Sequence, residues 1–237
     1  MSVPATFAND PAKALGGYRD TGFHVEPAIF SPEFCDQLVA IANEFPAVKA
    51  GDFRTALQPH RHSRAFLDAL RHPRVAEILV LILAGKVSGL QTQFFYGKPQ
   101  TPGFEPHQDS RYVNAQPGKF VSVWVALTDV SRENGGLYIY PGSFREPLLE
   151  TVELHPQETK LQDMNALRSR CIVPAKYQAV DLTVEKGGAV FFDGHAAHGS
   201  HANLSDSHRY ALLMTYIARG ASFDPGRFAQ REEVYVG

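Results

Sequence analysis

The hydrophobic pattern of this chain changes period once, near Val87, and that change limits the folds open to it. Before it, Phe34, Leu38, Ile41, Ala42 and Phe45 recur at helical spacing behind Ser31-Pro32, an N-cap and first-turn pair. A second helical stretch is expected from about Ser63 to Ala84, interrupted at His72–Pro73 because proline cannot occupy an interior helical turn, with Gly85 closing it. From Val87 onward come short runs rich in β-branched and aromatic residues, separated by turn signals: GLQTQFFYG, KFVSVWVALTDV, GLYIYPG, YQAVDLTVE, GGAVFFDG and HRYALLMTYIA. Helices first, then strands with long returning connections, predict a mainly β fold with N-terminal helices around a double-stranded, jelly-roll β core of cupin-like form.

At 237 residues the chain fits one domain, with a helical layer over about 1–86 and the core over about 87–220. A hydrophobic content of 44% is enough for a substantial core, while a formal charge of −2 gives no general attraction to nucleic acid or an anionic membrane. Cys35 and Cys171 are too few and too far apart for a disulfide framework. The segment MSVPATFANDPAKALGG lacks the basic and apolar regions of a signal peptide, and the aliphatic stretch Ile78–Ala84 is far short of the roughly 18 residues of a membrane span. A soluble cytoplasmic protein acting on a small molecule is expected, of undefined oligomeric state.

Chemistry concentrates at two places. His107 and Asp109 in EPHQD stand one residue apart, so on a strand they would share a side while Gln108 faces away. His198 in HGSHAN follows a strand and a turn and is the leading third partner, with His195 and His201 as competitors. Two histidines and one carboxylate on one face of a metal leave the opposite face open, the arrangement of non-haem Fe(II) oxygenases. A His-x-Asp pair by itself is weak evidence. His24-Val25-Glu26 is a similar pair, read as a chance occurrence because it falls outside the strand region.

Arg209 opens the last strand on the same face as Ala211, Leu213 and Thr215, whose modest size leaves room for a guanidinium and hence for an anionic co-substrate beside the metal. In KFVSVWVALTDV, Val121, Val123, Val125 and Leu127 form a core face. Phe120, Ser122, Trp124, Ala126 and Thr128 form the mixed face that a ligand-holding interior needs. Strand parity adds Gln93 to this lining.

Over about residues 87–218 the chain resembles the phytanoyl-CoA dioxygenase family of Fe(II)/2-oxoglutarate oxygenases. The matching pieces are FFYGKP, HQD, VSVWVALTDVSRENGGLYIYPGS, EKGGAVFFDG and HGSHANLSDSHRYALLMTY. The resemblance implies that His107, Asp109 and His198 bind iron and that Arg209 pairs with the distal carboxylate of 2-oxoglutarate. It further implies Ser200 as a second anchor and Trp124 as an aromatic wall. The expected reaction uses O2 to hydroxylate or otherwise oxidise a C–H bond of a small organic molecule, releasing succinate and CO2. The alternatives are a metal-binding jelly roll without catalysis and a zinc hydrolase, neither of which needs a buried carboxylate anchor. Phe144 departs from the histidine that many members carry after PGS, and the stretch from about 147 to 176 has no counterpart.

That stretch, with Leu154, Leu161, Met164 and Leu167, and the loop Gly97–Pro106 are the two expected lids, the loop because it lacks ladder partners. Arg61, Arg64, Arg71 and Arg74 could bind an anionic substrate but fit better as one solvated helix face, Tyr138 and Tyr140 either reach the pocket or fill the space between sheets, and Cys171 reads as structural.

Overall fold

The computed structural model describes residues 4–159 and 169–236. Helices dominate the start of the chain. Pro32–Asn43 begins where the Ser31 hydroxyl accepts from the Phe34 amide at 3.2 Å. Arg64–Leu70 and Pro73–Leu83 are separate helices, with the break at Pro73 as expected. The second is closed by Ala84, not Gly85: Ala84 takes the left-handed conformation (φ 52°) and its amide returns to the Val80 carbonyl.

The larger sheet has the order Phe23–Glu26, Ala189–Asp193, Phe120–Ala126, Arg209–Ala218, Val87–Gly97, Val234–Tyr235, with Ala56–Leu57 also paired to Val87–Gly97. Its pairings are antiparallel. A second sheet joins His198–Ser200, Leu137–Ile139 and Val180–Asp181. The two sheets face each other as an open jelly roll rather than a closed barrel. The long strand expected over YQAVDLTVE shrinks to Val180–Asp181. The N-terminal third, expected to be helical, contributes two strands to the main sheet, and the C-terminal end contributes another beyond the expected core.

Side-chain alternation divides the interior. Val121, Val123, Val125 and Leu127 pack outward with Leu38, Phe66 and Leu79 of the helices. Phe66 and Leu79 are fully buried, and each such side chain contributes about 1.5–3 kcal/mol. Trp124, Ala126, Val190, Phe192, Ala211 and Leu213 turn the other way and meet Leu137 and Ile139 of the small sheet. The site lies on this inner face.

Between the sheets' strands, Thr151–Glu153 and Ser169–Cys171 form a two-stranded ribbon. The Cys171 amide bonds the Pro106 carbonyl at 2.7 Å, which docks the ribbon on the loop leading to His107. Leu154 is buried, whereas Leu161, Met164 and Leu167 lie outside the described residues. The loop Gly97–Pro106 does not lack partners, contrary to expectation. The Phe104 amide donates to Ser200 Oγ at 3.0 Å, the Ser200 amide returns to the Phe104 carbonyl at 2.9 Å, and Thr101 bridges Asn203.

Candidate metal centre and adjoining cavity

His107, Asp109 and His198 each present one ligand atom within 4.8 Å of the others. The local route differs from strand alternation. His107 meets His198 in an isolated antiparallel bridge, with mutual backbone bonds of 2.9 and 3.0 Å. Asp109 has helical dihedrals (φ −63°, ψ −32°) and leads into the short helix Ser110–Val113. The two side chains therefore converge because the chain turns between them. Gln108 does face away, and it is fully buried. Its Nε2 donates to the His195 carbonyl at 2.7 Å and its Oε1 accepts from the Leu149 amide at 2.7 Å, so it pins the ligand loop to two neighbouring segments.

The imidazoles are oriented by backbone. His107 Nδ1 stands 2.8 Å from the Glu105 carbonyl and His198 Nδ1 3.0 Å from the Ala196 carbonyl. A carbonyl only accepts, so each Nδ1 carries the proton and each Nε2 keeps its lone pair for a metal. These Nε2 atoms are 3.7 and 3.8 Å from Asp109 Oδ1. Ligands about 2.1 Å from one ion stand about 3–4 Å apart, so the set fits a single cation. The other oxygen, Asp109 Oδ2, accepts from Ser122 Oγ at 2.6 Å, which leaves Oδ1 to coordinate. Burial and the neighbouring His107 push the His198 imidazole down to about 4, against the opposing pull of Asp109. Neutral His198 is the form that binds a metal.

The triad opens on a cavity of about 530 Å³ whose lining includes Gln93, Trp124, Ser200 and Arg209. Arg209 is 7% exposed, and its Cζ lies 5.8 Å from the Trp124 ring. Glycines make this placement possible. A Cβ at Gly97 would stand 3.1 Å from Arg209 Cζ, and one at Gly135 3.4 Å from its Nε. Ser200 Oγ accepts from the Phe104 amide and retains its hydroxyl proton to donate. Leu213 and Thr215 share the lining with Arg209, as strand parity predicts. So does Leu137, rather than Tyr138 or Tyr140.

The competing histidines lie outside the triad. His195 is buried, which lowers its pKa, and its amide donates to Asp193 Oδ1 at 2.8 Å. His201 Nε2 pairs with Asp181 Oδ1 at 2.6 Å. The pair His24/Glu26 lies on a strand after all, yet Glu26 is taken by His24 at 2.9 Å, Arg74 at 3.3 Å and the Phe7 amide at 2.8 Å. The arginines disperse: Arg64 pairs with Asp68, Arg74 with Glu26 and Glu77, and Arg61 holds the Gln230 carbonyl. Burial raises the Cys171 thiol, in keeping with a structural residue.

Sequence reasoning placed Ser122 on the correct face without seeing its bond to Asp109. It missed the C-terminal turn, where Gly226, Arg227, Phe228, Ala229 and Arg231 join the lining. No local pattern in that polar stretch marks it.

Among the described residues no helix is long and apolar enough to cross a membrane. The zebrafish phytanoyl-CoA dioxygenase domain-containing protein 1 is 32% identical over 158 residues, covering 64% of this chain and 52% of the relative. The chain thus spans about half the length of that relative. Ectoine dioxygenase of Streptomyces anulatus is 27% identical over 262 aligned residues, covering 100% of this chain and 88% of the relative. The crystal structure of the epimerase SnoN in complex with Fe3+, alpha ketoglutarate and nogalamycin RO superposes with a TM-score of 0.77 at 18% identity, covering 93% and 89% of the two chains. That likeness is one of fold. The family model for phytanoyl-CoA dioxygenase matches residues 18–211, and the chain belongs to that family.

Proposed function

We propose that this chain is an Fe(II)/2-oxoglutarate-dependent dioxygenase that hydroxylates or otherwise oxidises a C–H bond of a small organic molecule, with release of succinate and CO2. One observation carries the reading: two Nε2 atoms and one carboxylate oxygen converge on a cavity that the buried Arg209 also lines. Membership of the family, and the full-length similarity to an ectoine dioxygenase, support it.

In this reading His107 Nε2, His198 Nε2 and Asp109 Oδ1 hold the iron. Iron with O2 and 2-oxoglutarate supplies the oxidising chemistry, and the protein positions and protects it. Arg209 takes the distal carboxylate of 2-oxoglutarate in a planar, two-bond grip that its buried setting strengthens. The Ser200 hydroxyl donates to the same group, and Trp124 walls the co-substrate, with Gln93 on the adjoining strand. Backbone carbonyls fix both imidazoles, and Ser122 fixes the carboxylate, so little reorganisation is needed when the ion binds. We place the chain in the cytoplasm, in accord with its two free cysteines, Cys35 and Cys171, and read it as a single domain, in accord with its length of 237 residues.

The test is succinate formation from 2-oxoglutarate with Fe(II) and O2. It is expected for the native chain and for His195→Ala, and expected to vanish in His198→Ala. Metal and 2-oxoglutarate binding without succinate would indicate a non-catalytic metal-binding module instead. Full activity in His198→Ala would overturn the ligand assignment.

A further inference from the structure

The C-terminal turn reaches the cavity from the end opposite Arg209. Val234 pairs with Gly89, whereas Arg209 pairs with Gly97 on the same strand. Those anchor points are about 26 Å apart along an extended chain. The turn leading into Val234 is built around one side chain. The Arg231 Nη1 donates to the carbonyls of Tyr112 at 3.0 Å, Asp224 at 3.2 Å and Pro225 at 3.5 Å. Gly226 (φ 71°) admits this wrap, since a Cβ there would stand 2.7 Å from the same Nη1.

These bonds all leave from Nη1. Nε is buried and has no hydrogen-bond partner among the described residues. A buried donor without an acceptor gives up its hydration with nothing in return, so its retention points to a ligand. The Nε–Nη2 edge of a guanidinium offers two parallel N–H groups, the pair that grips a carboxylate side-on. Burial lowers the Arg231 pKa, while the carboxylates of Asp109 and Asp224 act in the opposite sense, so the guanidinium lies within electrostatic reach of a proposed iron ligand. Glu105, the other acid in the lining, acts instead on Tyr138 and Tyr140. The lining that Arg231 joins carries Tyr112, Val113, Phe120 and Phe228 as an apolar and aromatic wall, beside the polar Gln91 and Thr215 and the exposed Arg227. At about 530 Å³ the cavity is in the range of about 300–1,000 Å³ that suits a small-molecule ligand.

We propose that the prime substrate is a carboxylate-bearing, otherwise apolar small molecule, held side-on by Arg231 with its carbon skeleton directed along the apolar wall toward the metal. The proposal rests on the oxygenase reading, which assigns Arg209 to the co-substrate and leaves Arg231 for the substrate.

The experiment uses the full chain loaded with Mn(II) and 2-oxoglutarate under nitrogen, so that the Arg209 end is filled. Decanoate, cinnamate and benzoate are each compared with their primary amides by equilibrium dialysis. At least one acid is expected to bind about thirtyfold or more tightly than its amide, the lower bound for a desolvated arginine–carboxylate pair. Arg231→Gln should reduce that preference to within about threefold and Arg231→Lys should keep an intermediate value, because a lysine supplies charge without the fork. Arg64→Gln, on the exposed helix face, should keep it whole. Thermal melts of each variant separate misfolding from loss of recognition, and 2-oxoglutarate affinity should be the same in Arg231→Gln as in the native chain. Binding of acids and amides alike, binding of no acid in the panel, or a preference that survives Arg231→Gln overturns the proposal. If Mn(II) and 2-oxoglutarate themselves fail to bind, the oxygenase reading fails. The comparison is then run in Arg209→Ala, where any acid preference that depends on Arg231 still reports this site.

Discussion

Ser122→Ala should weaken metal binding without touching a ligand atom. Ser122 is fully buried in mid-sheet, paired with Thr215 on one side and Phe192 on the other, so its position is fixed by two ladders. Its hydroxyl donates to Asp109 Oδ2 at 2.6 Å, a short charge-assisted bond that holds Oδ1 toward the histidines. Hydrogen bonds to charged groups contribute about 1.5–3 kcal/mol. Asp109 is only 8% exposed, so solvent is poorly placed to replace the lost donor. A loss of about 2 kcal/mol corresponds to about thirtyfold in affinity, within the range of about 10–100-fold for groups that orient metal ligands. Anaerobic titration with Fe(II), or with Co(II) followed by its visible absorption, measures the affinity directly. A melt of the metal-free variant checks that the sheet is intact. Native affinity within about twofold in a folded Ser122→Ala protein would show that the carboxylate is positioned by something else, and the orientation argument would fail.

Alanine at His107, Asp109 or His198 should abolish turnover and sharply weaken Fe(II) binding with the fold retained, while His201→Ala keeps activity; metal titration beside circular dichroism decides this. Arg209→Ala should raise the apparent KM for 2-oxoglutarate at least about thirtyfold, with Lys restoring part, and equal effects on both substrates would refute the assignment. Gly97→Ala, whose Cβ would meet the Arg209 backbone carbonyl at 2.8 Å and its Cζ at 3.1 Å, should weaken 2-oxoglutarate while leaving metal affinity unchanged. Burial pushes the Asp193 carboxyl up to about 6, so the folded state favours its protonated form. That stabilisation is complete below about pH 4 and is lost as pH rises through about 6, by up to roughly 3 kcal/mol. Asp193→Asn, which retains an acceptor for the His195 amide, should therefore gain stability over the native chain at pH about 8 but not at about 4. Denaturant unfolding at both pH values checks it, and a difference independent of pH would contradict the assignment.

Features that depend on one element's own pattern were legible in the sequence. The change of period at Val87 separated most helices from most strands, because side chains repeat every 3.6 residues in one and every 2 in the other. Parity on KFVSVWVALTDV separated Val121, Val123 and Val125, packed on helices, from Ser122 and Trp124, turned to the site. Parity on the last strand put Arg209, Leu213 and Thr215 on the cavity face. The convergence of His107, Asp109 and His198 was legible from residue types and motif spacing together with the family resemblance, which favoured His198 over His195 and His201.

What the tertiary structure decided depends on partners distant in the chain. The strand Phe23–Glu26 is four residues long, too short to show a period, and it exists because Ala189–Asp193 pairs with it. Asp109 reaches the histidines through a helical turn that HQD does not reveal. The loop Gly97–Pro106 looked unpartnered because its partners, Ser200 and Asn203, lie about a hundred residues on. Arg231 reads as one more polar residue near the end of the chain until the turn around it meets Tyr112. Periodicity reports which side of an element is apolar, and a motif reports which groups could react. Neither says which remote backbone carbonyl will receive a proton or which tail will close a cavity, since those contacts form only when the two sheets and their connections pack together.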